Sequence, residues 1–278
     1  MPDYQATSTA FTHIYDNKIW GEGSGASAPD LTRPYMKMLT DFIHNNRVKS
    51  VVDVGCGDWQ FSRAMDWSGV RYYGFDVVAS VIEANRRQFA SDTVTFHLLS
   101  EMANLPSADL VVCKDVLQHL PIADIQEHLD WFCTRYKYAI VTNDIYPDES
   151  TNIDIEVGSC RALRLDLEPF NRRVATLVQW EIVVAPNRWI KSSCLLLGYE
   201  AVHAVEQRLS DAAAANHCAA APSADGNRTA DDAQTIRDGE AAADDRSVSP
   251  STNGIGSLAE QQRNARRGWW ARWIATRQ

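Results

Sequence analysis

The sequence lacks paired cysteines, a surplus of basic charge and any long apolar run, and each absence removes a class of function. Its six cysteines, Cys56, Cys113, Cys133, Cys160, Cys194 and Cys218, are scattered, and none forms a C-x-x-C pair. Neither a zinc site nor a disulfide framework is indicated, and a reduced, cytoplasmic protein is expected. No stretch approaches the roughly 18 apolar residues of a membrane span. The polar stretch Met1–Ala10 has no charged n-region followed by an apolar core, so no signal peptide is read there. With 27 Lys+Arg against 36 Asp+Glu the net charge is -9, which argues against general nucleic-acid binding. What remains is a 278-residue chain, 45% hydrophobic, with ample length to bury a core.

Composition divides the chain unevenly. Residues 1–198 carry a net charge of -7, residues 199–260 another -7, and residues 261–278 five arginines and no acid. The middle stretch is rich in Ala, Asp, Ser, Thr and Gly and offers few large apolar side chains to offset its ordering entropy. The expected organisation is an N-terminal lid or extension over 1–34, a globular domain over 35–199, a disordered linker over 200–260, and a basic Trp-rich segment over 261–278. In that last segment Trp269, Trp270, Trp273 and Ile274 share one helical face among arginines. This pattern fits an interfacial or partner-docking helix as well as one packed back on its own domain.

Within 1–198, strand-like and helix-like patterns alternate. Residues 31–46 read as an amphipathic helix. Strands follow at 49–54, 70–75, 93–98, 109–113 and 138–142, with helices expected at 58–65, 78–89 and 122–136. Two late runs, Val174–Val184 and Trp189–Leu197, read as strands around a turn at Ala185-Pro186-Asn187. Alternation of this kind implies an α/β fold: a mostly parallel sheet with helices on both faces and an antiparallel closing hairpin.

The sharpest motif is Val51-Val52-Asp53-Val54-Gly55-Cys56-Gly57-Asp58. Glycines where a strand ends let the backbone approach a ligand, and a following helix, with Asp58 as its cap, would offer free N–H groups. Asp76 closes the second strand, 19 residues past Gly57, the spacing at which a carboxylate reaches ribose hydroxyls. A dinucleotide fingerprint requires a third glycine, but Gln60 stands in its place. An acidic Asp53 also suits a cation better than a phosphate.

Together V-V-D-V-G-C-G-D, F-D-V-V and A-D-L-V-V-C-K-D-V-L-Q-H-L-P resemble the class I S-adenosylmethionine-dependent methyltransferases over residues 48–145. W-Q-F-S, I-Y-D-N-K-I-W-G-E-G-S-G and T-N-D resemble a small bacterial-type subgroup. The resemblance implies a seven-stranded Rossmann-like sheet and S-adenosyl-L-methionine as cofactor. It implies Asp53, Gly55, Cys56, Gly57 and Asp58 around the methionine end, Asp76 at the ribose, and Val77 beside the adenine. Lys114 and Asp115 would close the pocket, with Gln118 and His119 facing the methyl or the substrate. The family often places an acid near the adenine amine after its third strand. Here that stretch reads Leu98-Leu99-Ser100-Glu101, leaving Ser100, Glu101 or the backbone for the contact.

If the nucleophile is a hydroxyl, a base must take its proton. His119 and Asp144, both near the C-terminal edge of the sheet, are the candidates; each is also a residue type that caps or packs a loop. Gly21–Gly25 reads either as a passive loop or as a lid. Trp20 and Trp59 read as core aromatics, and His44 and His128 as surface or packing residues. Three functions stay open: transfer to a small-molecule or glycan-like acceptor, transfer to a protein or nucleic acid, and cofactor binding without catalysis. A nicotinamide oxidoreductase is a distant fourth. The stretch Lys114-Asp115-Val116-Leu117 lacks the N-P-P-Y or D-P-P-Y of amino-methylating DNA enzymes. No metal site, nucleic-acid partner or firm membrane contact is expected.

Overall fold

The computed structural model describes residues 2–21, 23–145, 151–184 and 187–197. The expected linker 200–260, the Trp/Arg segment 261–278, and Ala185 and Pro186 of the late turn lie outside the described residues.

The chain opens with helix α1 (Tyr4–Asp16), which the sequence reading left as an extension of unspecified structure. Asp3 caps it by accepting a hydrogen bond from the Ala6 amide at 2.9 Å. Thr7, Phe11 and Ile14, spaced 4 and 3 apart, form its buried face. Helix α2 (Arg33–Asn45) follows, with proline in its first turn and Tyr35 and Leu39 buried one turn apart. Helices α3 (Ala79–Phe89) and α4 (Ile122–Arg135) complete the α-helices among the described residues. On α4 the buried residues Ile125, His128, Leu129 and Phe132 give a one-sided stripe.

Seven strands form one sheet: β1 (Ser50–Val54), β2 (Arg71–Asp76), β3 (Val94–Leu98), β4 (Leu110–Lys114), β5 (Tyr138–Ile145), β6 (Val174–Val184) and β7 (Asn187–Leu196). Their order is β3-β2-β1-β4-β5-β7-β6. The first five run parallel, while β7 is antiparallel to both β5 and β6. Central strands covered on both faces become continuous apolar runs. Accordingly, all five residues of β4 are buried, as are four of the five in β1. The order reverses between β1 and β4, the switch point where open α/β sheets bind ligands.

The glycine turn departs from expectation. Residues 58–65 hold only a 3-10 turn at Ser62–Ala64 instead of an α-helix. Trp59 adopts a φ of 58°, which breaks helical continuity. Asp58, expected as a helix cap, instead engages Ser24, whose hydroxyl donates to its carboxylate at 2.5 Å. The bend after β1 is therefore followed by an irregular turn and not by a helix N-terminus.

Candidate active site

The bend after β1 is tied to β2 by backbone bonds. The Gly55 and Cys56 amides both donate to the Phe75 carbonyl, at 2.7 and 2.9 Å. Gly57 has a φ of 54°, and a Cβ there would collide with Ser24 Oγ. The Gly57 amide donates to Asp76 Oδ2 at 3.0 Å, and the Val78 amide to Asp76 Oδ1 at 3.0 Å. Asn85, on the buried face of α3, donates to the Gly57 carbonyl at 2.7 Å. Each Asp76 oxygen retains a lone pair beyond its amide bond.

A cavity opens at this sheet edge, lined by both charged and apolar side chains. Its floor comprises Asp53 to Gly57, Asp76 and Val77, and Lys114 to Val116. Its roof comes from the N-terminal segment, where Thr7, Phe11, Tyr15, Trp20, Ser24 and Ser27 face inward. That segment is latched to the floor. The Ser8 hydroxyl donates to the Val77 carbonyl at 2.8 Å. The Asp58 amide donates to Ser24 Oγ at 3.0 Å, which also lies 2.8 Å from the Tyr15 hydroxyl. Trp20, Ser24 and Ser27 thus line the cavity from the N-terminal side.

Two of the acids are buried without an ion pair among the described residues. Asp53 accepts from the Tyr72 hydroxyl at 2.6 Å, and burial pushes its carboxyl up to about 6. Burial likewise pushes Asp76 up to about 6, against the pull of its backbone amide bonds. The ion pairs among the described residues include neither group. Two unpaired carboxylates facing a cavity fit a positively charged nucleoside better than a phosphate.

Beside them lies a chain of alternating charge. Lys114 Nζ is 2.5 Å from Asp115 Oδ2 and 3.3 Å from the Ser27 hydroxyl. Lys191 Nζ reaches Asp115 Oδ1 at 2.8 Å and Asp144 Oδ1 at 2.5 Å. Although burial alone would raise Asp115, its two lysines hold it well below the usual carboxylate range. Lys191, on the antiparallel strand, carries no motif and went unread in the sequence.

Of the anticipated site residues, Asp53, Gly55, Cys56, Gly57, Asp76, Val77, Lys114 and Asp115 line the cavity. Five do not. Asp58 is drawn off to Ser24 and Gln60. Ser100 is exposed and accepts from Asn104 at 3.0 Å, while Leu99 takes the wall position. Gln118 is buried, donating to Asp144 Oδ2 at 3.2 Å and accepting from the Asp144 amide at 2.7 Å. Asp144 is consumed by Lys191 and Gln118.

His119 is buried behind the wall residues Phe11 and Trp20, whose rings lie 6.1 and 5.1 Å away. Its Nδ1 lies 2.8 Å from the Ser159 carbonyl, and burial pushes it down to about 4. Neither proposed base reaches the wall. The structure adds Tyr15, Ser24 and Trp20 from the roof, and Tyr4, Asp124 and His128 at one end. The I-Y-D-N-K-I-W-G-E-G-S-G stretch contains Tyr15, Trp20 and Ser24, whereas no motif signalled Tyr4, Asp124 or His128.

A family model described as a methyltransferase domain matches residues 29–151. No curated protein matches the sequence. Solved structures with a similar arrangement include magnesium protoporphyrin IX methyltransferase from Synechocystis PCC 6803 with bound S-adenosylhomocysteine. It is 15% identical, with 68% of this chain and 95% of that chain covered, at a TM-score of 0.45. Another is an N-methyltransferase from Bradyrhizobium japonicum (12% identity, 66% and 98% covered, TM-score 0.46). A third is an S-adenosylmethionine-dependent methyltransferase from Clostridium acetobutylicum (14% identity, 68% and 98% covered, TM-score 0.43).

Proposed function

We propose that the protein, whose residues 29–151 match a methyltransferase domain, is a class I S-adenosylmethionine-dependent enzyme that methylates a small-molecule or glycan-like acceptor. When bound, the cofactor supplies a sulfonium methyl that an acceptor nucleophile displaces in line. The work of the protein is to hold and orient. Asp76 takes the ribose hydroxyls through its free lone pairs, and Val77 lies against the adenine. Asp53 neutralises the ammonium of the methionine portion, while Lys114 offers its charge to the carboxylate at the same end. The Gly55-Cys56-Gly57 bend presents backbone where a side chain would obstruct.

The observation that carries this reading is the convergence of Asp53, Asp76 and the glycine bend on one cavity at the switch point of the sheet. The roof of α1 and residues 20–27 supports a compact acceptor, because it encloses a space instead of leaving an open groove for a polymer. In this reading His119, Gln118 and Asp144 are positioning residues. His119 props Phe11 and Trp20 from behind, and Asp144 with Gln118 sets Lys191 and, through it, Asp115. An acceptor already deprotonated at working pH, or one carrying its own lone pair, needs no protein base.

Calorimetry tests the nucleoside half. S-adenosylhomocysteine should bind, and Asp76→Ala should weaken it about 100-fold, the loss of two charge-assisted hydrogen bonds. Unchanged affinity removes Asp76 from the site. Methyl-labelled cofactor offered to metabolite, oligosaccharide, peptide and RNA pools tests the acceptor half. Label in peptide or RNA alone overturns the acceptor class, and binding with every pool unlabelled points to a non-catalytic protein.

A further inference from the structure

A second cavity lies apart from the candidate active site, on the outer part of the sheet where β5, β7 and β6 adjoin. It shares no lining residue with the first. Strand register explains the separation. Asn143 pairs with Ser192, and Asp144 with Lys191, and successive side chains on a strand leave opposite faces. Asp144 and Lys191 turn toward each other and toward Asp115. Asn143 and Ser192 line the second cavity instead. Part of the segment 151–173 covers it. The Leu163 amide donates to the Asp144 carbonyl at 2.9 Å, which ties the cover to β5. The Asn152 carboxamide donates to the carbonyls of Arg164 and Glu168, both at 2.7 Å, which fixes its shape. The floor is buried at Val141, Asn143, Leu163 and Ser192, and the mouth opens at the exposed Thr176 and Gln179.

The polar groups of this floor are incompletely used. Asn143 is 3% exposed, and its Oδ1 has no hydrogen-bond partner among the described residues, whereas buried carbonyl oxygens are ordinarily bonded. Ser192 Oγ accepts from Gln179 Nε2 at a long 3.3 Å. Beyond that it has the Cys194 sulfur, a weak partner, at 3.6 Å. Side by side across the β5–β7 pairing, the floor therefore presents an acceptor and a hydroxyl able to donate. A single hydroxyl group answers both. The charged residues at the rim, Arg164 and Asp166, pair with each other at 2.8 and 2.5 Å, so the lining leaves no net charge to draw an ion. Val141, Leu163 and Leu165 supply an apolar wall, which suits a carbon skeleton better than water alone.

We propose that this second cavity binds a compact neutral alcohol, whose hydroxyl donates to Asn143 Oδ1 and accepts from Ser192. The alcohol occupies the face of β5 opposite the Asp144–Lys191 pair. Its binding does not depend on the nucleoside reading of the first cavity.

Saturation-transfer NMR on the full chain tests this, with propane-1,2-diol as the probe and acetate and methylammonium as charged controls. The diol should show saturable transfer that excess S-adenosylhomocysteine leaves unchanged, and the two ions should show none. Asn143→Leu should weaken the diol about tenfold, the loss of one hydrogen bond, and Ser192→Ala about threefold. Thermal melting checks that each variant is folded; should Asn143→Leu not fold, Ser192→Ala carries the test alone. No saturable transfer to the parent protein, or transfer that the folded variants keep at full strength, overturns the proposal and leaves the cavity to water. Displacement of the diol by S-adenosylhomocysteine puts it in the first cavity and overturns the proposal equally. Ions that bind as well as the diol overturn the neutral class of ligand.

Discussion

Asp53 and Asp76, on β1 and β2, and Asp115 and Asp144, after β4 and on β5, are two acidic pairs on opposite sides of the switch point. All four side chains are largely inside the protein, yet they are treated differently. The first pair makes no ion pair among the described residues, and burial lifts both carboxyls to about 6, against the more distant pull of Lys114 on Asp53. In the second pair Asp115 lies between Lys114 and Lys191 and is held well below the ordinary range. Its neighbour Asp144 is raised by burial even though Lys191 lies 2.5 Å away, so one shared cation offsets burial less than the two lysines that flank Asp115. The first half of the edge keeps two unmatched negative groups facing a cavity, and the second half is internally balanced. The lesson is a division of labour: one half is arranged to receive positive charge, the other to hold its own geometry.

The contrast can be broken most severely at Lys191. Lys191→Met leaves Asp115 and Asp144 buried with their shared cation gone, and should cost about 3–5 kcal/mol in denaturant unfolding. A loss under 1 kcal/mol would mean that the network is dispensable. Gly57→Ala strikes the receiving half: a positive φ and a collision with Ser24 Oγ should cost about 1–3 kcal/mol and weaken S-adenosylhomocysteine binding together.

Acidity sharpens the comparison next. Because Asp53 and Asp76 lie near 6 when folded, lowering pH from 7 to 5 protonates them and should reduce S-adenosylhomocysteine affinity about tenfold or more. Asp115, held below that window, stays ionised throughout. The same two groups contribute stability in the opposite sense. Their folded values exceed the unfolded ones, so their contribution is fully present below about pH 4 and is lost as pH rises through about 6. His119, pushed down to about 4, opposes them: its contribution is present above about 6.5 and is lost as pH falls through about 4. Ligand affinity is therefore the cleaner readout, and Asp53→Asn should flatten its pH dependence. The smallest effect is at the latch, where Ser24→Ala removes the bonds to Asp58 and should cost about 1 kcal/mol. Stopped-flow release of S-adenosylhomocysteine should then be faster.

The sheet was legible because its strands are short β-branched runs punctuated by glycine, proline or acid, and the late hairpin begins at Val174 as read. The glycine bend and Asp76 were legible because their spacing is local and chemical. Lys191 was not: it meets Asp115 from 76 residues away, across an antiparallel pairing that no periodicity encodes. Helix α1 was missed because its buried face is only Thr7, Phe11 and Ile14 within a polar stretch. The helix expected at 58–65 failed because Asp58 bonds to Ser24, a tertiary contact that overrides local propensity. His119 and Asp144 sit at the expected sheet edge, but sequence gave no indication that Phe11, Trp20 and Lys191 would stand between them and the cavity.

The clasp between the first helix and the glycine bend has a kinetic corollary. On the lid reading, an occupant is expected to exchange with solvent when Ser8 and Ser24 let go of their partners. The ceiling on turnover then belongs to unclasping rather than to bond-making, and viscosity or a tether on residues 4–27 should slow multiple cycles while sparing the first.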